Sequence, residues 1–353
     1  MYAIPQSLRS APFTVGQLRA YGLPRHVLEG RRFVLMHPRV WRWHELDPTV
    51  VVRSQAALLA VPDSVVSHLT ALHLRGVLIG DVDGPVHLST NRQRECVDPR
   101  ITLHRRRGTL VTEDLQGIAT LGPERTFVDV ASSGLAERDL VAAGDWLVHA
   151  GWTTAPRLRE FVAASRLDGV VRARRAVDLV RTGVESPRET WVRLLLVGSG
   201  LPEPATNTNI HDESTGRFIA RGDMPYIAYK VLVEYDGWQH ERSAAQRRRD
   251  HERLAALATA GWIVVVIAAA DIADPLRAVA RVRAALLSRG WTPAPAPRRR
   301  FGEEIGSSRA KIPISSPNRE GEDREGGVRR CGRAATRSDG AGCAPGSSPG
   351  PPG

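Results

Sequence analysis

One predicted strand of this chain carries two acidic residues beside a run of apolar ones, and no other feature constrains the fold as strongly. The segment is Val231-Leu232-Val233-Glu234-Tyr235-Asp236. Because side chains alternate along a strand, Leu232, Glu234 and Asp236 point to the same face. Any sheet that contains this strand therefore brings two carboxylates together. A cation, a hydrogen-bond donor or water has to compensate their repulsion.

A third carboxylate, that of Asp223, belongs to the preceding strand. Residues 217–223 and 230–236 predict an antiparallel hairpin with a short turn. In that register Asp223 lies opposite Glu234. Like charges about 7 Å apart repel by roughly 2 kcal/mol at an effective dielectric constant of about 20. Oxygen ligands without a thiolate suit Mg²⁺ or Mn²⁺, so we expect a Mg²⁺ site formed by Asp223, Glu234 and Asp236.

The segments around this hairpin predict an α/β domain at residues 185–292. Ser186 is a typical helix N-cap and Pro187 a typical first helical residue, so a helix begins here and carries Glu189 in its first turn. After the hairpin, the pattern predicts a helix, a continuous apolar strand and a last helix, at 243–260, 262–267 and 275–287. The predicted fold is a mixed sheet flanked by helices.

The acidic residues also have structural interpretations. Glu189 fits the third helical position of a capping box that begins at Ser186. Asp236 and Gly237 fit a hairpin turn, although the residues that follow lead into a helix and not into a returning strand. Glu234 fits a solvated face of a sheet. The order of the elements and the joint presence of these acids and Asp223 favour the metal site.

Several separated motifs resemble one nuclease family. They are Ser186-x-x-Glu189, Asp223, 231–237 followed by His240, Arg249-Asp250-x-x-Arg253 and Gly261-Trp262. Their order over residues 185–289 resembles the DUF559 branch of the PD-(D/E)xK nuclease superfamily, which is similar to the very-short-patch-repair endonucleases. The resemblance implies a restriction-endonuclease-like fold and a Mg²⁺-dependent endonuclease that hydrolyses phosphodiester bonds in DNA.

The resemblance also implies a role for each matching acid. Asp223 and Glu234 would hold the metal, and Glu189 would bind the metal or its water. Asp236 stands where the superfamily has lysine. His240 would act in place of that lysine, as a base or as a phosphate contact.

Arginines of the following helix complete the implied site. Arg248, Arg249 and Arg253 would clamp phosphate groups of the DNA or pair with Asp250. The chain departs from the family pattern at Gly222, because the pattern has proline before the first metal-binding aspartate.

The first 48 residues, 1–48, predict a winged-helix unit. A capping box opens a short helix, a second helix runs over 24–29, and 31–43 alternates large apolar with basic residues as a two-stranded wing does. In such a unit the second helix enters the major groove of DNA and the wing holds phosphates. The expected DNA contacts are Arg25, Arg31, Arg32, Arg39 and Arg42. The alternative is a small helical cap whose arginines are merely solvated.

Residues 49–184 predict a mostly helical middle domain. Two strand-like segments, at 85–90 and 100–106, interrupt the helical pattern. His68 and His73 are five residues apart and do not share a helical face, so we expect both to pack in the core and not to bind a metal.

Two segments of this part of the chain loosely resemble winged-helix antitoxins of the AbiEi type. They are Ser67-His68-Leu69-Thr70-Ala71 and Pro123-Glu124-Arg125-Thr126, and the resemblance extends over 10–180. It implies an alternative function, a transcriptional autorepressor whose nuclease fold is inactive. A nucleotidyltransferase-type toxin would then be a second partner beside DNA.

The net charge of +11 favours a polyanionic partner such as DNA. Of the 49 basic residues only Lys230 and Lys311 are lysines, and arginine suits bidentate contacts with phosphate and guanine. A bias in genomic base composition would produce the same arginine content, so the charge alone does not establish DNA binding.

The composition excludes several classes of protein. With 42% hydrophobic and 25% charged residues, the chain is neither fibrous nor disordered throughout. The start has no apolar signal segment, the longest apolar run is 262–270, and three cysteines form no disulfide framework. We therefore expect a cytoplasmic protein without membrane contact. The tail, 293–353, is rich in Gly, Pro, Ser and Arg, and we expect it to be disordered.

Overall fold

The computed structural model describes residues 2–236, 244–268, 271 and 274–293. The fold is α/β, with helices packed against antiparallel and mixed sheets, as the sequence predicts. Within these residues, no helix combines the length and the apolar character needed to cross a lipid bilayer. His240 and, apart from residue 293, the predicted tail lie outside the described residues.

Two short helices, a 3-10 helix and three antiparallel strands form the N-terminal unit. They are α1 (Gln6–Ser10), β1 (Phe13–Thr14), α2 (Val15–Ala20), the 3-10 helix Arg25–Glu29, β2 (Phe33–His37) and β3 (Val40–Trp43). The predicted capping box is present, since the Thr14 hydroxyl accepts from the Gln17 N–H at 3.2 Å and Gln17 Oε1 accepts from the Thr14 N–H at 2.8 Å. The predicted second helix is only a 3-10 helix, because Pro24 and Gly30 leave five residues between them.

A five-stranded mixed sheet lies in the middle of the chain, where the sequence predicts mostly helix. Its strands run in the order β6-β5-β4-β8-β7. The two predicted strands are β5 and β6. The hydrophobic pattern does not predict the other three strands. Strand β4 is only two residues long, and β7 contains Glu113 and Asp114. The elements of this part are α3 (Val50–Ala60), β4 (Val65–Val66), α4 (His68–Leu74), β5 (Val86–Thr90), β6 (Ile101–Arg105), β7 (Thr112–Leu115) and β8 (Ile118–Leu121).

Five helices follow, and the last of them contributes to two apolar cores. They are α5 (Pro123–Ala131), α6 (Glu137–His149), α7 (Ala155–Ala164), α8 (Val170–Val177) and α9 (Pro187–Gly198). Trp191 and Leu194 of α9 pack against the core that these helices share, whereas Val192 and Leu196 belong to the core of the next sheet. Helix α9, which the sequence assigns to the domain after residue 184, is therefore packed on both sides of that boundary.

The C-terminal part contains a two-stranded and a three-stranded sheet. Its elements are β9 (Thr208–His211), β10 (Phe218–Gly222), β11 (Met224–Tyr226), the 3-10 helix Ile227–Tyr229, β12 (Val231–Asp236), α10 (Ala244–Thr259), β13 (Ile263–Ala268) and α11 (Pro275–Ser288). The predicted hairpin is divided between the two sheets, because the first predicted strand bends after Gly222. Residues before the bend pair with β9, and those after it pair antiparallel with β12.

The three-stranded sheet is mixed and separates two helical layers. Its strand order is β11-β12-β13, and β12 pairs parallel with β13. Val231 and Val233 of β12 share a core with α9 and α11, whereas Leu232 packs with Leu257 of α10. Because side chains alternate along β12, Glu234 lies on the face that α10 covers.

A buried ion pair fastens α9 to α6. Arg193 Nη2 lies 2.9 Å from Asp145 Oδ2, and both side chains are 1% exposed. The Asp145 carboxylate also accepts hydrogen bonds from the Thr190 hydroxyl at 2.7 Å and from the Arg181 N–H at 2.7 Å. Arg193 also donates to the Leu179 carbonyl at 2.9 Å. Buried charges of this kind require their partners, because an unpaired ion inside the protein is strongly destabilising.

We therefore expect Arg193→Met to lower the free energy of unfolding by about 3 to 5 kcal/mol, since it leaves the Asp145 charge buried and uncompensated. Arg221→Met is the matched control. Arg221 pairs with Glu185 at the surface, where the two side chains are 50% and 41% exposed, so its loss should cost less than about 1 kcal/mol. Urea denaturation of both variants measures the difference. Equal losses would show that the buried pair has no special role.

Candidate active site

Asp223 lies at the bend between β10 and β11. Met224 pairs with Val233, so the register brings Asp223 beside Glu234, in agreement with the strand pairing expected from the sequence. The Tyr235 N–H donates to Asp223 Oδ2 at 3.0 Å. This hydrogen bond holds the Asp223 carboxylate against β12.

The residue before Asp223 packs closely against Leu232. A Cβ atom at Gly222 would lie 2.5 Å from Leu232 Cδ1 and 3.2 Å from Ile210 Cδ1, so any other residue requires the Leu232 side chain to shift. Proline also carries a Cβ atom and would meet the same two side chains.

Glu189 lies at the start of α9 and forms part of the predicted cap. Ser186 Oγ accepts from the Glu189 N–H at 3.2 Å and donates to Glu189 Oε1 at 2.8 Å. Glu189 Oε2 accepts from the Glu185 N–H at 3.1 Å and from the Asn207 side-chain amide at 2.6 Å. The capping box is only half formed, because the Glu189 carboxylate accepts from the Glu185 N–H and not from the Ser186 N–H, but these bonds hold the carboxylate in one orientation.

Asn207 connects Glu189 to Asp223, and no sequence motif predicted this role. Its N–H donates to the Asp223 carbonyl at 2.8 Å, and its side chain donates to Glu189 Oε2 and, at 2.7 Å, to the Gly183 carbonyl. Its backbone has a φ of 41°, a left-handed conformation that asparagine tolerates better than most residues. The presence of asparagine at this position is therefore the signal that the sequence offers for the left-handed conformation.

Glu234 is paired with an arginine of α10. Arg253 Nη1 lies 2.5 Å from Glu234 Oε1, and Arg253 Nη2 lies 2.7 Å from Glu234 Oε2, which is a bidentate arrangement. The side chain of Glu234 is only 12% exposed. The alternative interpretation of Glu234, on a solvated face, is therefore wrong. Arg253 contacts a carboxylate of the protein, and its predicted phosphate contact stays a prediction.

The negative charge around Asp223 exceeds its compensation. Burial above all, together with the charges of Glu189 and Glu234, raises the pKa of the Asp223 carboxyl from 3.8 to about 6. The Tyr235 N–H and the Arg253 guanidinium act in the opposite direction and lower that pKa. The structure thus brings Glu189, Asp223 and Glu234 within electrostatic reach of one another, although Arg253 balances only one of their charges.

The other predicted residues of this site lie around these three. Asp236 ends β12 opposite Ala268 of β13, two residues beyond Glu234 and therefore on the same face. Arg248 and Arg249 are exposed on α10. His240 lies in the segment 237–243, outside the described residues, so its predicted role stays a prediction.

The predicted DNA contacts of the N-terminal unit fall into two groups. Arg25, Arg31 and Arg39 are exposed. Arg42 Nη1 instead donates to the carbonyls of Trp43, His44 and Leu46 at 3.0, 2.9 and 2.6 Å.

Arg32 Nη1 donates to the Tyr2 carbonyl at 3.2 Å. The Nη1 group of Arg42 connects the end of β3 to the residues that follow it, and the predicted phosphate contact of Arg42 stays a prediction. The guanidinium of Arg32 likewise donates to a backbone carbonyl.

A second cluster of ionisable side chains lies outside the predicted site. His68, His87 and His104 come together beside the mixed sheet of the middle part, and each offers a nitrogen within 4.8 Å of those of the others. His87 and His104 lie on the adjacent strands β5 and β6, where His104 pairs with Ser89. Since His68 lies 19 residues before His87, on another element, no local spacing marks the cluster.

No family model matches the sequence. Two curated proteins of Mycobacterium tuberculosis, one from each of two strains and both described as uncharacterized, are 28% identical over 184 residues. The match covers 52% of this chain and 66% of theirs, just under two thirds of their length. The crystal structure of the RV2827C protein from Mycobacterium tuberculosis is similar at a TM-score of 0.35 and 20% identity, over 48% of this chain and 71% of that one.

The raised pKa of Asp223 predicts a dependence of stability on pH. Because the folded carboxyl holds its proton up to about pH 6 and the unfolded one only to 3.8, the wild type loses stability as the pH rises between these values. Asp223→Asn keeps an oxygen for the Tyr235 N–H and has no charge. Without divalent ions, the variant should therefore match the wild type at low pH and be more stable above about pH 6.

Asp212→Asn is the control of opposite sign. Hydrogen bonds from Ser214 and then Thr215 lower the pKa of the Asp212 carboxyl to about 2, so this charge stabilises the folded state above about pH 4. Urea denaturation across this pH range separates the two variants. A pH profile of Asp223→Asn parallel to that of the wild type would show that Asp223 carries no unfavourable charge.

Proposed function

We propose that this protein binds DNA and hydrolyses its phosphodiester bonds with a divalent ion, Mg²⁺ or Mn²⁺. The observation that carries the proposal is the meeting of Asp223, Glu234 and Glu189, in which burial and like charges raise the pKa of Asp223 to about 6. The capping role of Glu189 and the pairing of Glu234 with Arg253 do not account for the buried carboxylate of Asp223, whose ionised form these two charges destabilise.

The residues present fit a divalent ion. Glu189, Asp223 and Glu234 carry three negative charges when ionised, and Arg253 compensates one of them. Carboxylate oxygens are the ligands that Mg²⁺ and Mn²⁺ prefer. Asp223 and Glu234 would hold the ion, Asp236 would add a further oxygen from the same face of β12, and Glu189 would contribute charge from α9.

A bound divalent ion would lower the pKa of a water molecule and stabilise negative charge on the phosphate. Neighbouring groups of the protein hold the carboxylates of the site in their orientations. The Tyr235 N–H fixes Asp223, while Asn207 and Ser186 fix Glu189. Arg253 already makes a bidentate contact with an oxyanion, and a guanidinium makes the same contact with a phosphate. We assign to Arg253 an exchange between Glu234 and a phosphate of the DNA.

The N-terminal unit supplies the DNA contacts in this proposal. Arg25, Arg31 and Arg39 are exposed on the 3-10 helix, just before β2 and at the turn of the wing. The net charge of +11 supports a polyanionic partner. These arginines would bind phosphates and hold the duplex, and they carry no sequence information by themselves.

A second function is an autorepressor of the AbiEi antitoxin type, with a nucleotidyltransferase-type toxin as partner. Two observations favour it. Both oxygens of Glu234 are engaged by Arg253, and Asp236 stands where the nuclease superfamily has lysine. In this alternative the acids and Arg253 serve only the fold, and the protein acts by binding DNA.

Glu234→Gln distinguishes the two functions. Glutamine keeps the size of the side chain and removes the charge that would hold the ion, so the variant should lose nicking of supercoiled DNA together with the Mg²⁺-induced rise in melting temperature. Glu213→Gln is the matched control, because Glu213 forms an exposed pair with Lys230 in the same part of the chain. It should keep both properties.

The outcomes of this experiment are distinct. Loss of both properties in Glu234→Gln alone supports the nuclease. Nicking by Glu234→Gln at the wild-type rate would contradict it. A wild type that neither nicks DNA nor is stabilised by millimolar Mg²⁺ would leave the autorepressor as the function.

The wing contacts are tested by the dependence of DNA affinity on salt. Replacing Arg25, Arg31 or Arg39 singly with glutamine should remove one phosphate contact and flatten the plot of log affinity against log salt by about 0.9. Arg157→Gln, an exposed arginine of α7, is the control and should leave the slope unchanged. Fluorescence anisotropy with a labelled duplex and the full chain measures these slopes. Identical slopes for all four variants would remove the N-terminal unit from the DNA interface.

A further inference from the structure

Three histidine side chains stack beside the sheet of the middle part, and the proposed nuclease does not use them. The rings of His68 and His104 lie 3.5 Å apart at an angle of 15°, and those of His87 and His104 lie 5.2 Å apart at 12°. His87 Nδ1 and His104 Nε2 face each other at 3.0 Å. Two neutral imidazoles at this distance share one proton between two nitrogens.

The hydrogen bonds of His68 fix its tautomer. Arg106 Nη2 lies 2.8 Å from His68 Nε2, and because a guanidinium only donates, this nitrogen carries a lone pair. His68 Nδ1 therefore carries the proton and donates to Ser67 Oγ at 2.9 Å. An imidazole with one lone-pair nitrogen and its N–H held by a neighbouring group is the form that binds metals in proteins.

We propose that His68, His87 and His104 form a binding site for a transition-metal ion, Zn²⁺ in particular. Each offers a nitrogen within 4.8 Å of the other two. Zinc binds imidazole nitrogens at about 2.0 to 2.1 Å in a tetrahedral arrangement, which places two ligand nitrogens about 3.4 Å apart. The 3.0 Å separation of the His87 and His104 nitrogens already approaches this value, whereas the His68 ring is stacked on that of His104 and has to turn before its Nε2 reaches the same ion.

The chemistry of the cluster selects the kind of ion. Imidazole suits zinc and its transition-metal neighbours, whereas Mg²⁺ takes oxygen ligands, so this site and the carboxylates around Asp223 would bind different metals. His68 is fully buried, whereas His87 and His104 are half-buried.

Arg106 contacts the nitrogen through which His68 would bind the ion. Its guanidinium donates to His68 Nε2, to Asp129 Oδ1 at 3.3 Å and to Asp168 Oδ2 at 3.2 Å. Arg125 also donates to Asp129, at 3.0 Å. An ion that binds His68 Nε2 displaces Arg106 from that nitrogen, and the two aspartates retain the guanidinium beside the site.

The backbone supports a special role for His68. Its φ of 48° lies in the left-handed region, which is costly for a side chain with a Cβ atom, and this residue begins α4. At this position the imidazole stacks on the ring of His104.

Isothermal titration of the full chain with Zn²⁺, in the presence of excess Mg²⁺, tests the proposal. We expect a 1:1 complex. His87→Gln and His104→Gln should each weaken Zn²⁺ binding by at least about tenfold, the size of effect that even an outer-shell substitution has. His149→Gln, which removes an exposed histidine at the end of α6, is the matched control and should bind Zn²⁺ as the wild type does.

Melting curves without metal show whether each variant is folded, and the comparison uses the partly exposed His87 and His104 so that the buried His68 stays intact. Asp223→Asn should bind Zn²⁺ normally, which separates this site from the carboxylates. No Zn²⁺ binding by the wild type, or equal binding by the wild type and both folded His→Gln variants, would overturn the proposal.

Discussion

The buried ion pair between Asp145 and Arg193 is the constraint on which the candidate active site depends. It fixes α9 against α6, and α9 carries Glu189 at its first turn. Glu189 holds Asn207, and Asn207 holds the backbone of Asp223. The position of the candidate acids in the C-terminal sheet is thus set by a contact with the preceding helical core, which explains why the two parts are packed together and not joined by an exposed linker.

Glu234 and Asp223 differ in how far the surrounding groups compensate their charges. Arg253 neutralises Glu234 through two hydrogen bonds, whereas Asp223 has only the Tyr235 N–H as a direct donor among the described contacts. The result is one well-compensated acid beside one whose pKa is raised to about 6. Under the proposed function, a divalent ion would relieve the repulsion at Asp223 and free Arg253 for a phosphate.

Local patterns predicted much of the fold and part of the site. The alternation in β12 predicted that Glu234 and Asp236 share a face, and the strand pairing placed Asp223 beside Glu234. The bend after Gly222 was not predictable, because no local pattern marks the point at which this segment stops pairing with β9 and begins to pair with β12. Pairing of Glu234 with Arg253 joins residues 19 positions apart on different elements, and only the folded structure shows it.

The histidine cluster was not predictable for the same reason. Helical spacing relates His68 only to His73, while the neighbours of His68 in the fold are on strands β5 and β6. Short strands caused the other errors, since the two residues of β4 and the polar sequence of β7 contain no hydrophobic period. Periodicity in the sequence indicates which side chains of one helix or strand are buried. It does not indicate which residues of different elements meet in a site.

The most direct measurement is the anomalous diffraction of Mn²⁺ in crystals of the protein. We expect an anomalous peak bonded to Asp223 and Glu234, with Arg253 no longer bidentate to Glu234. An intact pair between Glu234 and Arg253 at saturating Mn²⁺, with no peak at Asp223, would contradict the proposed metal site.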